Sequence, residues 1–151
     1  MSIAQQIENI NIRSATMDDA AAMARLSGQL GYEAMPHDTA RRLETLLGDR
    51  EHQIYIAVSG AMLVGWIHVH LRPSLLTDAE AEIAALVVDE KVRSQGIGRM
   101  LVEVAERWAQ EHSCRTVRLR SNVARVRAHA FYERLGYEGI KTSRVFRKTL
   151  A

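Results

Sequence analysis

The stretch DEKVRSQGIGRML, residues 89–101, joins two segments of different periodicity. Before it, AEIAALVV (81–88) is apolar after its first two positions, the pattern of a central strand buried on both faces. After it, apolar residues recur at Ile97, Leu101, Val104, Ala105 and Trp108, the stripe of an amphipathic helix over 97–111. A chain with only nine glycines puts two of them, Gly96 and Gly98, at this strand-to-helix junction. A helix N-terminus carries free amides and a partial positive charge, so it forms a seat for an anion. Glycines let the loop fold tightly there and remove side chains that would hold a phosphate away. A lone G-x-G also serves as an ordinary turn, so the motif needs context.

The rest of the chain alternates strand and helix signals. INIRSA (10–15) reads as a first strand. A helix follows, with Thr16 as N-cap, Asp19 three residues on, and Gly31 as its stop. A second helix spans 37–47 and closes at Gly48. QIYIAV and MLVGWIHVHL form strands joined at Ser59-Gly60, a hairpin signal. TVRLR alternates like a half-buried strand, and Ala124, Ala128, Phe131 and Leu135 mark a helix face stopped by Gly136. TSRVFRKTL is read as a last strand. The order β-α-α-β-β-β-α-β-α-β predicts a mixed sheet with helices on both sides, in one domain spanning 1–151.

Composition narrows the function. Hydrophobic residues at 47% and charged residues at 25% suit a globular protein with a sizeable core. No apolar run reaches membrane-span length and no signal peptide opens the chain, which predicts a cytoplasmic protein without a membrane partner. The single cysteine, Cys114, cannot form an internal disulfide, and no metal-ligand spacing occurs, so no metal is expected. The net charge is only +2, and Glu103, Glu106 and Glu111 interrupt the arginine-rich region, which argues against nucleic acid.

Two nucleotide-loop readings fail on context. A Rossmann loop wants a third glycine where Leu101 stands, and no Gly-Lys-Ser/Thr is present for a Walker loop. The pattern Arg93-x-x-Gly96-x-Gly98 instead resembles the acetyl-CoA signature of GNAT N-acetyltransferases, Q/R-x-x-G-x-G/A. The opening IRSATMDDAAAMARL resembles that family's first strand and helix. SNVARVRAHAFYERLGYE (121–138) resembles its late helix, which ends in Phe-Tyr-x-x-x-Gly-Tyr. The likeness covers essentially the whole chain. AEIAALVV, the 121–138 segment and the histidine-bearing strand also resemble a bacterial branch that includes aminoalkylphosphonate N-acetyltransferases.

This resemblance implies an α/β fold with a mixed, mostly antiparallel sheet of about seven strands and about four helices. It also implies an acetyl-CoA-dependent N-acetyltransferase whose small-molecule amine acceptor attacks the thioester directly. Arg93 and Ser94 would begin the phosphate loop. Gln95, Gly96, Ile97, Gly98, Arg99 and Met100 would offer amides to the pyrophosphate, and the backbone of Leu86, Val87 and Val88 would pair with the pantetheine. Tyr132 is the candidate acid for the leaving thiolate; its other reading is a buried tyrosine with a structural partner. Glu82 is the candidate base, on a face expected to include Ala84, Leu86 and Val88; a solvated strand-start glutamate is the competing reading. Trp66, His68 and His70 share a strand face and are candidates for the acceptor pocket, for the base, or for plain packing.

Many family members carry asparagine where Arg125 stands, so a contact from that position to the cofactor is in doubt. Asn122 could replace it by capping the helix or touching the cofactor, and Arg125 could reach the CoA phosphates. Other readings remain open: a protein or peptide N-acetyltransferase, or a non-catalytic acyl-CoA-binding module. Homodimers are common among domains with this resemblance, but the sequence marks no apolar patch for one.

Overall fold

The computed structural model describes residues 9–151. They hold five strands and four α-helices, β1 (Ile10–Ser14), α1 (Ala20–Ser27), α2 (Pro36–Leu47), β2 (His52–Ser59), β3 (Met62–Arg72), β4 (Glu80–Val88), α3 (Ile97–Glu111), β5 (Val117–Leu119) and α4 (Val126–Arg134). The chain forms two compact units, one ending at Leu119 and the other running from Arg120 to Ala151. No helix among the described residues is long and apolar enough to cross a membrane.

In the first unit the strands lie in sequence order in one sheet, antiparallel from β1 to β4 and parallel between β4 and β5. The first helix starts where Thr16 and Asp19 predict. The Thr16 amide donates to the Asp19 carboxylate at 2.8 Å, and the Arg13 guanidinium grips both oxygens of Asp19 at 2.9 and 3.0 Å, tying β1 to the helix entry. Short 3-10 turns at Met17–Asp19 and Gly28–Leu30 flank α1, and Gly31 stops the segment in the left-handed conformation. The hairpin turns at Gly60, as its sequence signal requires.

Each sheet face buries its own core. Met23, Leu26 and Leu43 from α1 and α2 pack with Ile54, Ile56 and Val87 on one face, with Trp66 partly buried beside them. On the other, Ile97 and Leu101 of α3 lie against Gly65 of β3. A Cβ at Gly65 would stand 3.0 Å from the Val87 carbonyl oxygen, 3.2 Å from Leu101 and 3.4 Å from Ile97. Only glycine lets the first turn of α3 come this close to the sheet.

Two sequence expectations are corrected. The sheet has five strands, not about seven, and TSRVFRKTL forms none. Among the described residues no backbone–backbone hydrogen bond involves 138–151, and Val145, Phe146 and Leu150 are exposed. Alternation is a preference for a pleated surface, and without a strand edge to accept its hydrogen bonds it produces no strand. Strand β4 is also not uniformly buried. Its register against β3 skips Ala84, with His68 opposite Ala85 and Val69 opposite Ile83. This bulge turns Ala84 to solvent and inverts the facing beyond it. Glu82 therefore shares a face with Ala85 and Val87, not with Ala84, Leu86 and Val88 as strict alternation predicts.

Gly65→Val should lower stability by about 1–3 kcal/mol, because the backbone carbonyl of Val87 cannot give way as a side chain could. Urea unfolding of the two proteins measures it, and an unchanged midpoint would refute the close approach.

Candidate active site

Among the described residues, strand β4 has a neighbour on one side only for most of its length. Strand β5 pairs with it at Ala81, Glu82 and Ile83 and stops, whereas β3 continues alongside to Val88. The backbone from Ala84 to Val88 thus presents an open edge toward β5, able to accept an extended ligand as an added strand. Leu86, Val87 and Val88 lie on this stretch of β4.

The edge leads into the glycine loop. Asp89 is buried, donates its amide to the Val64 carbonyl at 2.8 Å, and accepts from the Lys91 amide at 3.1 Å and the Gln29 side chain at 3.3 Å. The Gln29 carbonyl in turn accepts the Glu90 amide at 2.9 Å. Gln29, sixty residues away in sequence, therefore clamps the loop entry, and nothing local in the sequence marks it. Ser94 and Gly96 both adopt positive φ, 66° and 82°. Gly96 caps α3, and no atom lies within 4 Å of where its Cβ would be. The Met100 amide donates to the Gly96 carbonyl at 3.1 Å, so Met100 is not a free donor. The amides of Gly96, Ile97, Gly98 and Arg99 precede it, in the turn that has no intrahelical acceptors. Arg93, Ser94, Gln95 and Arg99 are exposed around them.

On the α1/α2 face of the sheet, polar groups gather near the start of β4. His68 and His70 stand there, on the same face as Trp66, which lies opposite Val87 toward the end of β4; His52 of β2 joins them, a residue the sequence reading did not single out. The His52 and His68 rings are hydrogen-bonded, Nδ1 to Nε2 at 2.8 Å. The His70 ring stacks on His52 with centroids 5.1 Å apart. The His70 Nδ1 meets the Leu71 carbonyl at 3.0 Å, so it carries the proton and leaves Nε2 as the basic atom. Burial, then the neighbouring His52 and His70, pushes the His68 pKa down to about 4, which keeps that ring neutral near pH 7. Glu82 lies directly opposite His70, with an oxygen 3.5 Å from Arg72 Nε. The indole N–H of Trp66 is buried without a partner among the described residues. Among the described residues, no group of three or more His, Cys, Asp and Glu there is arranged to hold a metal ion.

The second unit carries the remaining candidates. Asn122 accepts the Ala124 amide through its side chain at 2.9 Å and leads into α4, whose N-cap is Arg125. Tyr132 packs edge-to-face with Phe131 and with Tyr137, centroids 5.1 and 5.8 Å apart. Burial raises its phenol pKa, with Arg125 opposing, so it holds its proton through the neutral range.

A family model described as "Acetyltransferase (GNAT) family" matches residues 17–137. The chain belongs to the GNAT acetyltransferase family. It is 30% identical over 144 residues to an aminoglycoside N(6')-acetyltransferase type 1 of Stenotrophomonas maltophilia, covering 92% of this chain and 93% of the relative. It is 31% identical over 133 residues to an aminoalkylphosphonate N-acetyltransferase of Salmonella typhimurium, covering 84% of each. In fold it is similar to the aminoglycoside N-acetyltransferase AAC(6')-Iy solved with CoA, at TM-score 0.87 and 16% identity over 97% of this chain and 99% of that one.

This GNAT chain is thus an acyltransferase that uses acetyl-CoA, and its residues fit that cosubstrate. The glycine at the α3 N-cap leaves room in front of free amides, and the unpaired edge of β4 continues from them. Gly96→Glu should abolish acetyl-CoA binding in calorimetry, since the new side chain is strained at positive φ and sets a carboxylate before the amides. Unchanged affinity would remove the loop from the site. The low pKa of His68 also has a stability consequence. The unfolded chain takes up this proton below about pH 6.5 and the native chain only near pH 4, so the contribution is complete above pH 6.5 and lost as pH falls toward 4. Urea unfolding from pH 7 to pH 4 should cost wild type about 2–3 kcal/mol more than His68→Phe. Parallel pH profiles would refute a neutral, buried His68.

Proposed function

We propose that this enzyme acetylates the primary amine of a small molecule by direct attack on the thioester of acetyl-CoA. The observation that carries the reading is the open edge of β4, which begins at Ala84 just past Glu82 and leads toward the free amides of α3. Acetyl-CoA supplies an activated acyl carbon on a sulfur leaving group. The amides of Gly96, Ile97, Gly98 and Arg99 hold the pyrophosphate, and Arg93 offers charge-assisted contacts to phosphate. The β4 backbone at Leu86, Val87 and Val88 aligns the thioester arm, and an amide near Val88 or Leu86 stabilises the charge that develops on the carbonyl oxygen.

Glu82 takes the proton that the amine loses as its nitrogen bonds to the acyl carbon. Burial keeps the Tyr132 phenol protonated, so it can deliver a proton to the sulfur as the carbon–sulfur bond breaks. The products are the acetamide and free CoA thiol. Trp66, His68 and His70 line the acceptor side, where the neutral imidazole of His68 does not repel an incoming ammonium. The names of the two relatives, an aminoglycoside and an aminoalkylphosphonate acetyltransferase, support a small-molecule acceptor over a protein one.

Thiol release measured against a panel of small amines and peptides tests the reading, and turnover on peptides alone would overturn it. Tyr132→Phe should lower kcat by about 100-fold or more with acetyl-CoA affinity changed less than about threefold. Equal turnover would take Tyr132 out of the mechanism.

A further inference from the structure

Glu82 stands in a polar rung that crosses four strands. His52 of β2 is opposite His70 of β3, His70 is opposite Glu82 of β4, and Glu82 is opposite Arg118 of β5. Residues in register share a sheet face, so these side chains stand side by side on strands about 4.8 Å apart. The charges along the rung are unequally engaged. Glu82 turns to Arg72 at 3.5 Å, and Glu80, opposite Arg72, accepts the Thr116 hydroxyl at 3.1 Å. The Arg118 side chain makes no ion pair or hydrogen bond among the described residues, and its Nε–H is buried without an acceptor.

A buried donor on a cation is costly to leave unmatched, and a planar guanidinium is shaped to hold an oxyanion in a two-pronged grip. Glu82 does not fill that role, being turned to the opposite neighbour. We propose that Arg118 seats an anionic group of the acceptor, so that the acceptor is a short zwitterion. Its amine sits at Glu82, and its phosphonate or carboxylate lies one strand spacing away, across two or three carbons. The proposal rests on the reading of Glu82 as the amine-side base. It separates the two acceptor chemistries named for the relatives, since a polycationic aminoglycoside brings no anion to Arg118.

The test uses the full chain with acetyl-CoA and four amines: 2-aminoethylphosphonate, β-alanine, n-propylamine and kanamycin. At least one zwitterion should exceed n-propylamine in kcat/KM by about tenfold or more, and Arg118→Gln should erase that ratio. Arg118→Lys, which keeps the charge but not the fork, should retain part of it. The phosphonate and carboxylate arms identify which oxyanion is preferred. Equal or better use of n-propylamine or kanamycin by wild type, or an undiminished ratio in a folded Arg118→Gln, overturns the proposal while acyl transfer stands. If no amine releases thiol, the acyl-transfer reading fails, and calorimetry of the two zwitterions against the CoA-loaded protein decides the anion seat separately. Binding lost in Arg118→Gln supports the seat, and no binding to wild type overturns it.

Discussion

The arrangement depends on a strand that loses one of its neighbours. After Ile83, among the described residues, β4 has a hydrogen-bonding partner only on the β3 side, because β5 ends after three paired residues. Unpaired backbone donors and acceptors in a sheet demand a partner, and an extended amide-bearing ligand can supply what β5 does not. The bulge at Ala84 lies where this parting begins. It aligns Glu82 with the histidines and Val87 with the apolar core of the same face, so the polar and the packing ends of one strand serve one side of the sheet.

The anion seat proposed at α3 depends on a second close approach. Helix α3 can start beside the sheet because Gly65 presents no side chain to Ile97 and Leu101. Gln29 and Asp89 then hold the loop entry through paired hydrogen bonds. The free amides are consequently presented by packed elements, which reduces the ordering needed when an anion binds. On the α1/α2 face, burial and the neighbouring His52 and His70 leave His68 neutral, while Arg72 and Arg118 bring permanent cations to the same end of the sheet.

Much of this was legible in the sequence. The bounds of α3 and of the β2–β3 hairpin, the Gly48 stop and the tight glycine turn before α3 follow from periodicity and turn chemistry, which act over a few residues. The glycine pair with Arg93 pointed to a phosphate loop, and the loop has the free amides that this requires. The last strand was not legible. TSRVFRKTL has the composition of a strand, yet strand formation needs a partner that composition does not contain. The facing of Glu82 was misread because one extra residue at Ala84 reverses the pleat without a local signal. Arg118, His52, Gly65 and Gln29 drew no attention, since each gains its meaning from residues on another element.

The sequence by itself determined the family and the segments that fold locally, because helix stripes, caps, turn glycines and the spacing of Arg93, Gly96 and Gly98 are short-range patterns. Only the tertiary structure decided where β5 parts from β4, which side of the sheet Glu82 faces, and that His52, His70, Glu82 and Arg118 form one rung. Those outcomes are set by strand register and by competition for backbone hydrogen bonds between segments far apart in the chain, and no local stretch of residues encodes either.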